Sequence, residues 1–299
     1  MAKYSDPFLQ HRKAQEQAHV ARTAGSHDPM ASLVSVEMNI TELCNRTCVF
    51  CPRVDPKIYP NRNLHMDLGI SEKVSADLVS IGYAGRISFS GFGEPVLNKE
   101  FTDHIHIFRE ALPDCIIESN TNGDQLTEKV ISGLFEAGIS ALYVNLYDGP
   151  EQEAQFKELF AKADIDPNRY HLRPHWAGAN DFGLTLNNRS GMVDNSDIGV
   201  TPLDRPQSRR CHYPFYKMFV DWNGNVLFCA NDWGREILVG NVMEKHIKDI
   251  WMSQEMEKIR YRLADGDRGH SPCNKCSVEG TLHGGTSFDH LMRYYEERV

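Results

Sequence analysis

From residue 35 onward the chain alternates between two hydrophobic patterns. Short apolar or alternating runs read as strands: "SVEMNI" (35–40), "RISFS" (86–90), "CIIES" (115–119), "ALYVNLYDG" (141–149) and "YHLRPHW" (170–176). Between them, "ISEKVSADLVSIG" (70–82), "NKEFTDHIHIFREAL" (98–112), "LTEKVISGLFEAG" (126–138) and "EQEAQFKELFAKA" (151–163) place apolar residues three or four apart, the spacing of helices packed on one face. Repeated βα units of this length predict a parallel sheet with right-handed crossovers, and so an α/β fold. In such sheets binding groups sit at the carboxyl ends of the strands.

The texture changes after a Gly/Asn/Ser-rich segment at 178–204, which reads as a linker or a long active-site loop. "FYKMFVDWNGNVLFCAND" (215–232) predicts a β-hairpin turning at Asn-Gly, and "MEKHIKDIWMSQEMEKIRYRLADG" (243–266) predicts one amphipathic helix. The expected divisions are an N-terminal helix or partly ordered arm at 1–32, a first domain at 33–204, a second at 205–285 and a C-terminal helix at 286–299.

Length and composition fit a globular chain of one large domain plus a smaller one, 299 residues with 41% hydrophobic and 24% charged. No run of about eighteen apolar residues appears, so no membrane partner is expected. The opening residues lack an apolar signal core, which predicts a cytoplasmic protein. A formal charge of −9 argues against nucleic acid as a partner, since phosphate binding wants cations on one face.

Eight cysteines in a reducing compartment point to metal or redox use rather than disulfides. Cys44, Cys48 and Cys51 follow the first strand as C-x3-C-x2-C, with no fourth cysteine nearby. A closed zinc site wants four ligands, so zinc would need a distant fourth. A cubane iron–sulfur cluster offers one iron per thiolate, and three thiolates leave one iron open.

That motif, with Phe50 before its last cysteine, resembles the signature of the radical S-adenosylmethionine (SAM) superfamily. The resemblance implies a partial (β/α)6 TIM-like barrel and a 4Fe–4S cluster whose open iron binds SAM. It also implies reductive cleavage of SAM to a 5′-deoxyadenosyl radical, with flavodoxin or ferredoxin as electron donor. Later strand ends match in family order. "FSGFGEP" (89–95) resembles the family's Gly-Gly-Glu-Pro element, so Gly91, Phe92, Gly93 and Glu94 are expected at the SAM ammonium. "SNTNG" (119–123) implies contacts from Ser119, Asn120 and Asn122. "VNLYDG" (144–149) brings Asn145 to the barrel mouth, and Arg173 is the expected partner of the SAM carboxylate.

Cys211, Cys229, Cys273 and Cys276 form C-x17-C-x43-C-x2-C. By spacing alone this suits a zinc ribbon as well as a cluster. Their setting, a hairpin, a helix and a closing Cys-x2-Cys, resembles the auxiliary-cluster module of radical SAM enzymes, the SPASM domain. The absence of later cysteines matches its shortened twitch form, a small α+β unit with one auxiliary 4Fe–4S cluster. The cysteine layout and "NNRSG" (187–191) are similar to butirosin-type aminocyclitol dehydrogenases. That likeness implies a sugar-like substrate, oxidation of a secondary alcohol, and Arg189 as the residue orienting the hydroxyl. Epimerisation is the first rival, with Cys115 as the one unassigned thiol. Peptide modification is a second, although no leader-binding segment is recognisable before residue 33. A zinc-stabilised binding protein is the alternative from another class.

Overall fold

Alternate residues along each strand have opposite tasks in the computed structural model, which describes residues 7–23, 28–175 and 186–298. Five strands, β1 (Ser35–Met38), β2 (Arg86–Phe89), β3 (Ile116–Thr121), β4 (Ala141–Leu146) and β5 (Tyr170–Pro174), pair in parallel in the order β5-β4-β3-β2-β1. The helices between them are α2 (Leu68–Ser80), α3 (Phe101–Ala111), α4 (Glu128–Glu136) and α5 (Glu151–Lys162). Val36, Met38, Ile87, Phe89 and Ile117 face this helix layer and form the main core with Val74, Ile105 and Phe108. Cys115 belongs to the same core, 3% exposed, with its sulfur 3.6 Å from the Tyr83 carbonyl.

The other register position on each strand is polar, carrying Glu37, Arg86, Glu118, Asn120, Asn145 and Arg173. Glu37, Arg86 and Glu118 are buried and paired: Lys217 lies 2.5 Å from Glu37, and Arg86 lies 3.4 Å from Glu118. The N-terminal segment forms helix α1 (Pro7–Thr23), whose Arg12 reaches Glu118 at 3.3 Å. Burial pushes the Glu118 carboxyl up, but Arg86 and Arg12 outweigh it and hold the carboxyl below its ordinary range. The helix thus packs on the polar face through ion pairs that desolvation makes costly to break.

The sixth parallel strand comes from beyond the expected boundary. β6 (Lys217–Val220) pairs parallel with β1, in register from Ser35↔Lys217 to Met38↔Val220. The predicted hairpin continues the same sheet through β7 (Asn225–Leu227) and β8 (Leu238–Asn241), both antiparallel. The result is one open eight-stranded sheet, with β5 and β8 at its edges. Six units were expected within 33–200, but five strands lie there among the described residues. The sixth depends on a pairing 182 residues apart in sequence, Ser35 with Lys217, which no local pattern encodes.

The single helix expected at 243–266 is two, α7 (Ile247–Trp251) and α8 (Gln254–Ala264), after the short α6 (Tyr213–Tyr216). Ser253 breaks it: its backbone is extended and its side chain accepts a hydrogen bond from the Met256 amide, starting a new helix. The C-terminal helix α9 spans Gly285–Glu296. The end of the "YHLRPHW" run at Trp176 and the 178–185 part of the expected loop lie outside the described residues. Among the described residues no helix is long and apolar enough to cross a membrane.

Candidate functional site

At the carboxyl ends of β1 to β5 lies a cavity of about 340 Å³. Its wall includes Cys44, Cys48, Phe50 and Cys51 from the loop after β1, and Gly91, Phe92, Gly93 and Glu94 after β2. Asn120, Asn122, Asn145, Arg173 and Arg189 complete the set that the sequence singled out. One expected residue is not there. Ser119 is fully buried and donates to the Phe89 carbonyl at 2.8 Å, because strand alternation turns it to the helix side with Ile117. Thr121, at the strand's end, lines the cavity instead.

The cysteine loop is irregular and is fixed by side chains rather than by a ladder. Arg46 bonds both Asp124 (2.7 Å from Nε) and Asp148 (2.9 Å from Nη1), clamping the loop to the ends of β3 and β4. Buried Arg53 donates to the Phe92 carbonyl at 2.7 Å and to the Glu42 carbonyl, joining the loop to the glycine turn. Asn61 accepts from the Cys44 amide at 3.0 Å and donates to the Cys44 carbonyl at 2.8 Å.

The glycines of "GFGEP" serve a close approach between chain segments. A Cβ on Gly93 would lie 2.1 Å from the Thr41 carbonyl oxygen, and Gly91 has φ +138°. The Phe92 and Gly93 amides converge on Asn39 Oδ1 at 2.9 and 3.3 Å. Glu94 accepts from Thr121 Oγ1 and from the Asn122 amide, each at 2.7 Å. Burial pushes its carboxyl up to about 7 despite those donors. Arg173 donates to Asn120 Oδ1 at 3.0 Å, and Asn145 Nδ2 donates to the Thr121 carbonyl at 3.2 Å.

Several wall residues escaped the sequence reading: Glu37, Arg46, Arg53, Tyr147, His175 and Trp233. Phe50, Tyr147 and His175 form an aromatic side, with Tyr147 and His175 stacked at 5.2 Å. Trp233 packs on Phe92 at 4.4 Å and comes from the region after β7. Of these, the charged Glu37 inside an otherwise apolar strand carried a visible signal.

A second, small pocket is lined by Cys211, Cys229, Cys273 and Cys276 together with Ser190, Asn231 and Arg268. Burial raises the thiol pKa values of Cys44, Cys48 and Cys51 and of Cys211, Cys229 and Cys273, to about 12 at Cys48, about 11 at Cys211 and about 12 at Cys273. Each set is close enough for its members to perturb one another. Yet among the described residues no three His, Cys, Asp or Glu side chains gather as ligands of a single ion. Soft sulfur donors gathered in one set of three and one of four fit a polynuclear iron–sulfur group at both places.

The two sites adjoin through consecutive residues. Arg189 lines the large cavity and Ser190 lines the four-cysteine pocket. Both have positive φ, +47° and +56°, so the chain turns sharply there. Ser190 Oγ donates to the Asn231 carbonyl at 2.8 Å, and the Asn231 amide lies 3.4 Å from Cys229 Sγ. Arg189 Nε is buried and makes no hydrogen bond among the described residues.

Comparison with known proteins gives the family and the fold. Residues 38–169 match the model of the radical SAM superfamily, and residues 211–277 match SPASM, an iron–sulfur cluster-binding domain. The chain is 32% identical over 257 residues to the S-adenosyl-L-methionine-dependent 2-deoxy-scyllo-inosamine dehydrogenase of Niallia circulans, covering 84% of this chain and 96% of that one. It is 20% identical to a tungsten-containing aldehyde ferredoxin oxidoreductase cofactor-modifying protein of Pyrococcus furiosus, covering 81% of this chain and 86% of that protein. The crystal structure of BtrN in complex with AdoMet and 2-DOIA superposes with a TM-score of 0.69 at 28% identity, covering 84% and 96% of the two chains. Native anSMEcpe with bound AdoMet shares the fold at a TM-score of 0.52 and 14% identity, covering 88% and 97%.

Proposed function

Since this chain belongs to the radical SAM superfamily and carries a SPASM-type cluster-binding domain, we propose that it oxidises a secondary alcohol of an aminocyclitol to a ketone. It is a SAM-dependent oxidoreductase with 4Fe–4S clusters. When bound, SAM and the clusters supply a radical that takes one hydrogen atom from the substrate carbon, and a site that accepts one electron as a proton leaves the hydroxyl.

The chain's own residues divide that work. Cys44, Cys48 and Cys51 hold the cluster that binds SAM, and Cys211, Cys229, Cys273 and Cys276 hold the auxiliary one. Phe50, Tyr147 and His175 offer a stacking wall for the adenine ring. Arg173 pairs with the SAM carboxylate, while Glu94 with Gly91, Phe92 and Gly93 forms the wall at its ammonium. Asn120, Asn122 and Asn145 supply hydrogen bonds to the remaining polar groups. Arg189 orients the substrate hydroxyl through the unpartnered Nε, since a guanidinium is a poor base. The reductant is a flavodoxin or ferredoxin in a reducing compartment such as the cytoplasm.

The observation that carries the reading is the adjacency of Arg189 and Ser190, one residue on each site. A substrate held by Arg189 lies beside the electron acceptor, as dehydrogenation requires and epimerisation does not. Cys115, the thiol an epimerase would need, is buried against the helix layer. Anaerobic enzyme with SAM, a reductant and 2-deoxy-scyllo-inosamine should yield ketone and 5′-deoxyadenosine in equal amounts. Steady 5′-deoxyadenosine formation without ketone, across a panel of aminocyclitols, overturns it.

A further inference from the structure

Arg268 is a buried cation with no anionic side-chain partner among the described residues. It is 2% exposed, and its four hydrogen bonds all go to main-chain carbonyls: Arg209 (3.0 Å), Arg210 (2.8 Å), Val278 (2.7 Å) and Glu279 (2.9 Å). Buried charges are otherwise paired, because leaving water costs several kcal/mol per ion. Arg86 obeys this through Glu118. Arg53 and Arg260, also buried, lie over the rings of Tyr59 and Trp251 at 4.9 and 4.1 Å. Among the described residues Arg268 has neither a carboxylate nor a ring.

What it does face is sulfur. Arg268 lines the pocket of Cys211, Cys229, Cys273 and Cys276. Gly280, at φ +82°, leaves room for guanidinium and thiol on the same side: a Cβ there would lie 2.5 Å from Arg268 Nη2 and 2.8 Å from Cys211 Sγ. A 4Fe–4S group with four thiolates is an anion whose negative charge grows by one on reduction. A fixed cation beside it favours the reduced form.

We propose that Arg268 is the counter-charge of the auxiliary cluster and raises its reduction potential, making it a better acceptor of the substrate's electron. The inference rests on the reading of the four cysteines as holding an electron-accepting cluster. Arg268 acts as a positioning and tuning residue, since it borders the pocket of the cluster's ligands rather than the substrate cavity.

The test isolates the auxiliary cluster in the full chain by replacing Cys44, Cys48 and Cys51 with Ala, then follows its reduction by EPR-monitored titration. Arg268→Gln should shift the one-electron equilibrium toward the oxidised form by about tenfold, a fall of about 59 mV. Arg268→Lys, which keeps the charge, should stay within about threefold of the parent. A fully loaded Arg268→Gln protein with an unchanged potential overturns the proposal, as does a lysine variant that falls as far as the glutamine one. Should Arg268→Gln take up no iron, Gly280→Ala carries the test. It keeps the charge but forces the guanidinium from Cys211, so the potential should fall by a smaller factor, and an unchanged value overturns the proposal. If the parent protein itself binds zinc and no sulfide, the electron-acceptor reading fails instead, which keeps the two failures apart.

Discussion

Glu16, in the first helix, accepts a hydrogen bond at 2.7 Å from the amide of Gly284, at the start of the last one. Its other oxygen accepts from the Ser287 amide at 3.0 Å. In "GTLHGGTS" (280–287) the backbone amides of Gly284 and Ser287 thus receive an anion from within the chain, the carboxylate of Glu16. The pair ties residues 268 positions apart and satisfies amides that no side chain of α9 caps.

Glu16→Ala should therefore loosen α9 from the first helix. The expected loss is about 1–2 kcal/mol, or roughly 2 to 6 °C in melting temperature, with SAM cleavage retained. Differential scanning calorimetry checks this, and an unchanged melting temperature would refute the capping role.

Replacing Cys44, Cys48 and Cys51 together with Ala should abolish 5′-deoxyadenosine formation from SAM under reduction. Replacing Cys273 and Cys276 should instead remove one cluster's worth of iron and leave SAM cleavage partly intact. Iron and sulfide analysis beside product chromatography separates the two. Unchanged 5′-deoxyadenosine in the first variant removes the assignment of the SAM-binding cluster.

Arg46→Ala releases the cysteine loop from Asp124 and Asp148. The loop has no strand partner of its own there, so the expected result is slower SAM cleavage and less iron on the first cluster. Fold stability should change by less than about 1 kcal/mol, since these charges are partly exposed. Arg46→Lys should rescue only in part, because the clamp uses both arms of the guanidinium fork.

Arg189→Met should uncouple the reaction. Ketone formation is expected to fall roughly a hundredfold, the usual scale for losing one oriented donor, while 5′-deoxyadenosine continues to form. A proportionate loss of both products would give Arg189 a role in the fold rather than in holding substrate.

His104 makes stability depend on acid. It is fully buried, lies 2.8 Å from Ser71 Oγ, and burial lowers its pKa from 6.5 to about 4. The unfolded chain therefore binds the proton first. The stability this neutral imidazole supports is complete above about pH 6.5 and is lost as pH falls toward 4. Between pH 7 and pH 5 the loss should be about 2 kcal/mol in urea unfolding, and His104→Gln should flatten that slope.

The βα alternation, the two cysteine sets and the turn at Asn-Gly were legible because each is written over a few adjacent residues. Strand period, helix spacing and cysteine intervals are local properties, and they decided the fold class and the donor chemistry. The break at Ser253 was also local, but the apolar stripe running through it masked a capping residue.

What remained was fixed by tertiary pairing. The sequence could not say that Lys217–Val220 lies beside Ser35–Met38, nor that Ser119 turns to the helix side while Asn120 borders the cavity. Nothing local in "NNRSG" reveals that Arg189 and Ser190 border different pockets. Arg268 gave no signal in the sequence, since its meaning lies in the carboxylate it lacks and the thiols it faces. Such relations depend on which distant groups share a desolvated space, where an uncompensated charge is too costly to persist. Local pattern chose the elements and the ligands, and burial chose their neighbours.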